Sequence, residues 1–225
     1  MSELTGMENQ KSMDVWEEAE KQPSPESAPK SAAKPVSKTR MLTGLALLTA
    51  IVVVLQLIGT AVRFGPFSVS FVLIPIVIGS ALYGPLAGAW LGFVFGFVVL
   101  VTGGAAVFMP ISPIGAIVIC IAKGTLAGLL AGLVYKPISK ANETVATMVA
   151  AVVAPVVNTG VFLGGCALCF YDTLSGWASA AGFDNLSAYM IVGLVGLNFV
   201  FELLVNIILS PVIVRLVKLA RTSAA

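Results

Sequence analysis

Two ionisable side chains, Lys123 and Glu202, stand deep inside otherwise apolar stretches of a 225-residue chain. Charge is expensive to hold in hydrocarbon, and an ionisable group kept there points by default to function. Lys123 offers a cation to an anionic group, and Glu202 offers a carboxylate to hydrogen-bond donors or to that cation. Asn198 and Asn206 lie four residues to either side of Glu202, so the three share one helix face. Asn158 stands in a separate apolar stretch. Lipid cannot satisfy such groups, so they must face inward. Two readings stay open. One is a structural Lys123–Glu202 ion pair with amides completing its hydrogen bonds. The other is a small-molecule pocket, open to the outside, in which Lys123 meets an anion and Asn158, Asn198 and Glu202 make hydrogen bonds. Asn206, deeper, packs the bundle.

A depth count supports convergence. Lys123 is 13 residues from Lys136, Glu202 is 13 from Arg215, and Asn158 is 14 from Thr144. At ~1.5 Å per residue each lies about 20 Å into a ~30 Å apolar layer. Gln56, 16 residues from Arg40, comes slightly higher. Arg63, in the short turn Arg63-Phe64-Gly65-Pro66, either steers an anion or binds lipid headgroups. The candidate binding set is therefore Lys123, Asn158, Asn198, Glu202, Gln56 and Arg63.

Much other chemistry is excluded. The chain has no histidine, which removes His-based triads, His-ligated haem and H-E-x-x-H zinc sites. Cys166 and Cys169 form a C-x-x-C, but inside a hydrophobic helix; with Cys120 they read as buried small apolar residues. Ala122-Lys123-Gly124-Thr125 lacks the glycine pattern and Gly-Lys order of a phosphate loop. A net charge of +2 gives no footprint for nucleic acid. No metal or cofactor is expected. An intramembrane enzyme using Lys123 and Glu202 as an acid/base pair, and a ligand-free structural scaffold, remain as alternatives.

The elements that must position these residues follow from composition. Hydrophobic residues make up 58% of the chain and charged ones 11%, against about 25% charged in a soluble domain. Of the 24 formal charges, 13 fall in residues 1–40, leaving too few to coat a water-facing surface. Residues 1–40 read as a disordered charged cytoplasmic tail, with a docking segment around Trp16 as a sharper alternative. Residues 41–221 read as an all-α membrane domain, a compact bundle of six transmembrane helices over 41–62, 67–83, 84–102, 113–135, 144–171 and 188–214. Six crossings put the clusters Lys34/Lys38/Arg40, Lys136/Lys140 and Arg215/Lys218/Arg221 on one side with both termini, the cytoplasmic side by the bias of Lys and Arg.

Glycines at strict four-residue spacing, Gly84, Gly88, Gly92 and Gly96 in one segment and Gly124, Gly128 and Gly132 in the next, make smooth stripes that predict close packing of those two helices. Ala46 and Ala50 repeat the spacing in the first segment, either as internal packing or as a flat face for a second membrane subunit. The uncharged run Gly103 to Pro113 suits a lid, and Trp177 reads as an interfacial anchor.

The segments IPIVIGSALYGPLAGAWLGF (74–93), AKGTLAGLLAGLVY (122–135), NTGVFLGG (158–165) and NFVFELLVNIILSPVI (198–213), with Ala46-x-x-x-Ala50, together resemble the substrate-binding S component of energy-coupling-factor vitamin transporters. The resemblance covers most of residues 41–220 and looks closest to pantothenate-type members, in which a basic residue occupies the position of Lys123. It implies a six-helix, non-enzymatic binding subunit in a prokaryotic plasma membrane that captures a vitamin or precursor at the outer face. Its implied partners are a transmembrane coupling subunit and two cytoplasmic ATPases. Ala46 and Ala50 would face the coupling subunit, and the whole binding subunit would topple in the membrane to carry its ligand inward.

Overall fold

The structure is a computed structural model that describes residues 38–61, 63, 64, 67, 68 and 71–222. The tail read over 1–40, with the segment around Trp16, lies outside the described residues except for its last three positions, which already belong to a helix.

Helix α1 spans Lys38–Ala61, and a two-residue hairpin follows, β1 (Arg63–Phe64) pairing antiparallel with β2 (Phe67–Ser68). Then come α2 (Leu73–Tyr83), α3 (Pro85–Val101), α4 (Pro113–Ile138), α5 (Glu143–Cys169), α6 (Tyr171–Ala180), the short α7 (Leu186–Ala188) with a π-helical turn at Tyr189–Leu194, and α8 (Gly196–Thr222). All belong to one unit, Ser37–Ala224. The all-helical expectation is met apart from the hairpin. Among the described residues four helices, α1, α4, α5 and α8, are long and apolar enough to cross a membrane.

The element boundaries correct the sequence reading in two places. The segment 67–83 begins in the hairpin, and α2 holds only 11 residues, about 16 Å of rise against a ~30 Å layer. The segment 188–214 is cut at Val195, and α8 starts at Gly196 and continues to Thr222. Arg215 and Lys218 did not end that helix, because a long stem lies along apolar surface while its charged head stays wet.

Local chemistry explains the ends. Gly84, at φ 93°, turns the chain between α2 and α3 in a conformation that L side chains avoid, and Pro85 then opens α3 with its φ already helical. Ser112 caps α4, its Oγ accepting from the Gly115 N–H at 3.3 Å. Asn142 caps α5, its Oδ1 accepting from the N–H groups of Thr144 (2.9 Å) and Val145 (3.1 Å).

The glycine stripes meet as the spacing predicts. A Cβ added at Gly92 would fall on the carbonyl of Gly124, one at Gly88 on that of Gly128, one at Gly96 on that of Cys120, and one at Gly132 on Pro85. Helices α3 and α4 therefore touch backbone to backbone. Two side-chain hydrogen bonds attach α1 to the α3 side of this pair, Trp90 Nε1 donating to Thr49 Oγ1 at 3.2 Å and Thr60 Oγ1 donating to Thr102 Oγ1 at 3.4 Å, and Gly44 lies against the Tyr83 hydroxyl at the end of α2. The other side of α1, with Ala46, Leu47, Ala50 and Val54, is exposed.

Among the described residues, buried apolar side chains form two clusters. One gathers Val52, Leu73, Leu91, Phe95, Ile119, Cys120, Cys166 and Phe170 among others. The second gathers Val77, Ala81, Ala131, Tyr135, Ala146, Ala150, Ala154, Ile213 and Val217. On α4 the first cluster stops at Cys120 and the second resumes at Ala131; on α5 the second stops at Ala154 and the first resumes at Cys166. Lys123 and Asn158 fall in that gap.

The basic residues collect at the second cluster's end. Tyr83, Tyr135, Lys136 and Ser139 line one cleft there, and Lys218 Nζ donates to Thr144 Oγ1 at 3.2 Å.

Candidate functional site

Contacts between helices set the relative height of the polar residues. Gly165 packs on Ile119 and Gly115 on Cys169, so α4 and α5 run antiparallel in a fixed register. Moving four residues along each helix from Ile119 and Gly165 brings Lys123 level with Val161. The Lys218–Thr144 hydrogen bond aligns α5 with α8 in the same way and places Phe201 opposite Val161 to within about one helical turn. Lys123 and Glu202 therefore share a level to within about one helical turn. Asn158 lies three residues from Val161 toward the basic end, about 4.5 Å along the axis.

Of the two sequence-based readings, the direct ion pair is absent: Lys123 and Glu202 form no salt bridge. The Lys123 ammonium instead stands over two aromatic faces, 5.1 Å from the centroid of Phe162 and 5.8 Å from that of Phe95. Glu202 is buried, and so is Asn158, whose Oδ1 has no hydrogen-bond partner among the described residues. Asn198 is half-buried on α8, one turn from Glu202 toward the helix start.

Lys123 closes one end of a cavity. Its walls are Ala116, Ile119 and Cys120 from α4, Phe162 and Cys166 from α5, Phe170 after it, and Gly104, Ala105 and Phe108 from the segment between α3 and α4. The volume is about 20 Å³, room for about one water molecule. Phe108 caps it, its ring 4.9 Å from that of Phe170 and 6.0 Å from those of Phe162 and Trp177. The run from Gly103 to Ser112 is thus a folded lid over Lys123, opening with Gly103 at φ 77° and ending at the Ser112 cap.

Of the candidate residues only Lys123 lines this cavity; Asn158, Asn198 and Glu202 do not, and the rest fall elsewhere. Gln56 is half-buried on α1, its Nε2 donates to Thr60 Oγ1 at 3.4 Å within the same helix, and it does not line this cavity. Arg63 pairs through its backbone with Ser68 in the hairpin, and its side chain lies outside the described residues. Ala46 and Ala50 are both exposed on α1. Asn206 is fully buried and donates from Nδ2 to the Glu202 carbonyl at 2.9 Å, as expected of a bundle-packing residue.

One sequence reading is corrected here: Cys169 is exposed. Cys120 and Cys166 are buried as expected, and both also line the cavity. Trp177 is half-buried and packs on the lid's Phe108. The aromatic cap itself went unnoticed, although Asn158, Phe162 and Cys166 share the four-residue spacing that flagged the stripe on α8. That repeat was the available signal.

The comparisons agree with this geometry. The family model described as "ECF transporter, substrate-specific component" matches residues 40–214. The pantothenic acid transporter PanT of Lactococcus lactis subsp. cremoris (strain MG1363) is 29% identical over 205 residues, covering 84% of this chain and 98% of that protein. The solved structure of ThiT from Listeria monocytogenes superposes with a TM-score of 0.59 at 19% identity, covering 82% of this chain and 96% of that one, and so shares the fold. With a lidded cavity inside an apolar helical bundle and a family match over more than three quarters of its length, the chain belongs to the substrate-specific components of ECF transporters.

Proposed function

We propose that the protein captures pantothenate, or a closely similar monocarboxylate, at the outer face of a prokaryotic plasma membrane as the binding subunit of an ATP-driven importer. The observation that carries this reading is Lys123, an ammonium without a carboxylate partner among the described residues, held at the floor of a cavity between aromatic rings. A ligand carboxylate supplies the missing counter-charge in a low-dielectric site, where such a hydrogen-bonded pair is strong. Asn158, Asn198 and Glu202 supply hydrogen bonds beside it. The name of the Lactococcus relative supports this choice of ligand. In this reading six segments cross the membrane and the basic end faces the cytoplasm. Gln56 and Arg63 act at the outer approach.

The full chain in lipid nanodiscs, titrated with pantothenate by calorimetry, tests the reading. Saturable binding of one equivalent without turnover is expected. Absence of binding rejects the ligand, and chemical conversion of it favours the intramembrane-enzyme alternative.

Ligand entry requires the lid to lift, because about 20 Å³ is far below the ~300 Å³ of ordinary ligand pockets. Phe108→Ala removes the ring that holds the lid against Phe162, Phe170 and Trp177. Aromatic pairs add about 0.5–1.5 kcal/mol beyond burial, so ligand dissociation should accelerate about tenfold in stopped-flow measurements. An unchanged off-rate would remove the lid from the release step.

Partners follow from α1. Its exposed stripe with Ala46 and Ala50 is smooth enough for a second helix to approach closely. We assign that stripe to the transmembrane coupling subunit, which in turn joins two ATPases. Ala46→Trp is expected to leave pantothenate affinity unchanged and to abolish co-purification with the coupling subunit. A normal yield of complex would move the docking face elsewhere.

A further inference from the structure

We infer that Asn158 selects the ligand by hydrogen-bond polarity, its carboxamide oxygen taking a hydroxyl or an amide N–H from a ligand whose carboxylate lies on Lys123. The inference rests on the capture reading above and deepens it. Six polar or charged residues are buried among those described: Ser80, Thr147, Asn158, Glu202, Asn206 and Ser210. The three hydroxyls are satisfied within their own helices, Ser80 donating to Ile76 O (2.8 Å), Thr147 to Glu143 O (2.9 Å) and Ser210 to Ile207 O (2.7 Å). Asn158, 7% exposed, has an acceptor that nothing among the described residues meets. Buried acceptors are normally paired. The Asn206 oxygen is also unpartnered, but it lies a full turn beyond Glu202 in the fully buried interior, away from the cavity.

Position makes Asn158 the ligand's concern. Asn158, Phe162 and Cys166 occupy one face of α5 at intervals of four; the latter two line the cavity, and the Phe162 ring lies against Lys123. Asn158 does not itself line the cavity; it continues the same helix face about 6 Å past Phe162, on the basic side of Lys123, next to where an anion held by Lys123 would carry its substituents. Beside Lys123 the unpaired Asn158 oxygen therefore asks for a donor. A ligand presenting an ether or ester oxygen there would set lone pair against lone pair, whereas a hydroxyl or amide N–H relieves the unpaired oxygen. The favoured class is a monocarboxylate with such a donor a few bonds from the acid. Pantothenate carries one amide N–H and two hydroxyls and so belongs to it.

The test is calorimetric titration of the full chain in nanodiscs with pantothenate, its N-methylated amide and its two monodeoxy analogues, on the wild type and on Asn158→Leu. At least one analogue should bind the wild type about tenfold to a hundredfold more weakly, and Asn158→Leu should reduce that difference to less than about threefold. Equal affinities across the panel on the wild type, a result independent of whether the variant folds, overturn the inference while leaving pantothenate capture standing. Equal discrimination by both proteins also overturns it. Failure of the wild type to bind pantothenate itself rejects the capture reading and this inference together.

Discussion

Lys123→Ala is expected to weaken pantothenate binding by at least thirtyfold while the chain still inserts and purifies as a single species. Truncating one partner of a buried, hydrogen-bonded charge pair costs about 2–5 kcal/mol, much of it because the other charge is left uncompensated. At about 1.4 kcal/mol per decade this spans roughly thirtyfold to several thousandfold. The fold should survive, since Lys123 closes no salt bridge and its ammonium rests on aromatic faces that still pack without it. Calorimetric titration alongside size-exclusion chromatography separates the two effects. Unchanged affinity would remove Lys123 from the ligand site, and loss of the folded peak would make it a structural residue.

Gly92→Leu should act in the opposite way, abolishing the fold regardless of ligand. A Cβ at this position meets the Gly124 carbonyl and the Thr125 Cα, which are backbone atoms and cannot rotate aside. Ordinary overpacking costs about 1–3 kcal/mol when side chains give way. Here two helices must separate along a seam with four such contacts, so a loss above about 3 kcal/mol is expected, read as disappearance of the monodisperse peak and a much lower Tm. Gly160→Ala is the matched control: a Cβ there meets nothing within 4 Å, and stability should change little. A folded Gly92→Leu protein would mean that the α3–α4 seam is wider than the structure places it.

The legible parts of the sequence were those where physics leaves few alternatives. Glycines four apart in two successive apolar segments have little use except close approach, and α3 and α4 meet along them. Lys123 and Glu202 were conspicuous because hydrocarbon penalises them, and their shared level follows from helical rise counted from basic anchors. Other features depended on tertiary context. Phe108, Phe162, Phe170 and Trp177 come from separate segments, and nothing local distinguishes a lid aromatic from a lipid-facing one. The start of α8 was hidden because Tyr189–Leu194 is as apolar as the helix after it; only backbone geometry marks the π turn. Gln56 has the right height but sits on α1, and counting along an axis carries no information about which way a helix face turns.

The division of the apolar interior into two clusters, with Lys123 and Asn158 between them, has a mechanical consequence. The half beneath the lid can loosen while the half at the basic end stays intact, because the two clusters share no buried side chain. Amide hydrogen exchange should then report two separate opening free energies, with solute altering protection mainly around Phe108 and Phe162. The half that stays closed would serve as the fixed mount from which the other half breathes.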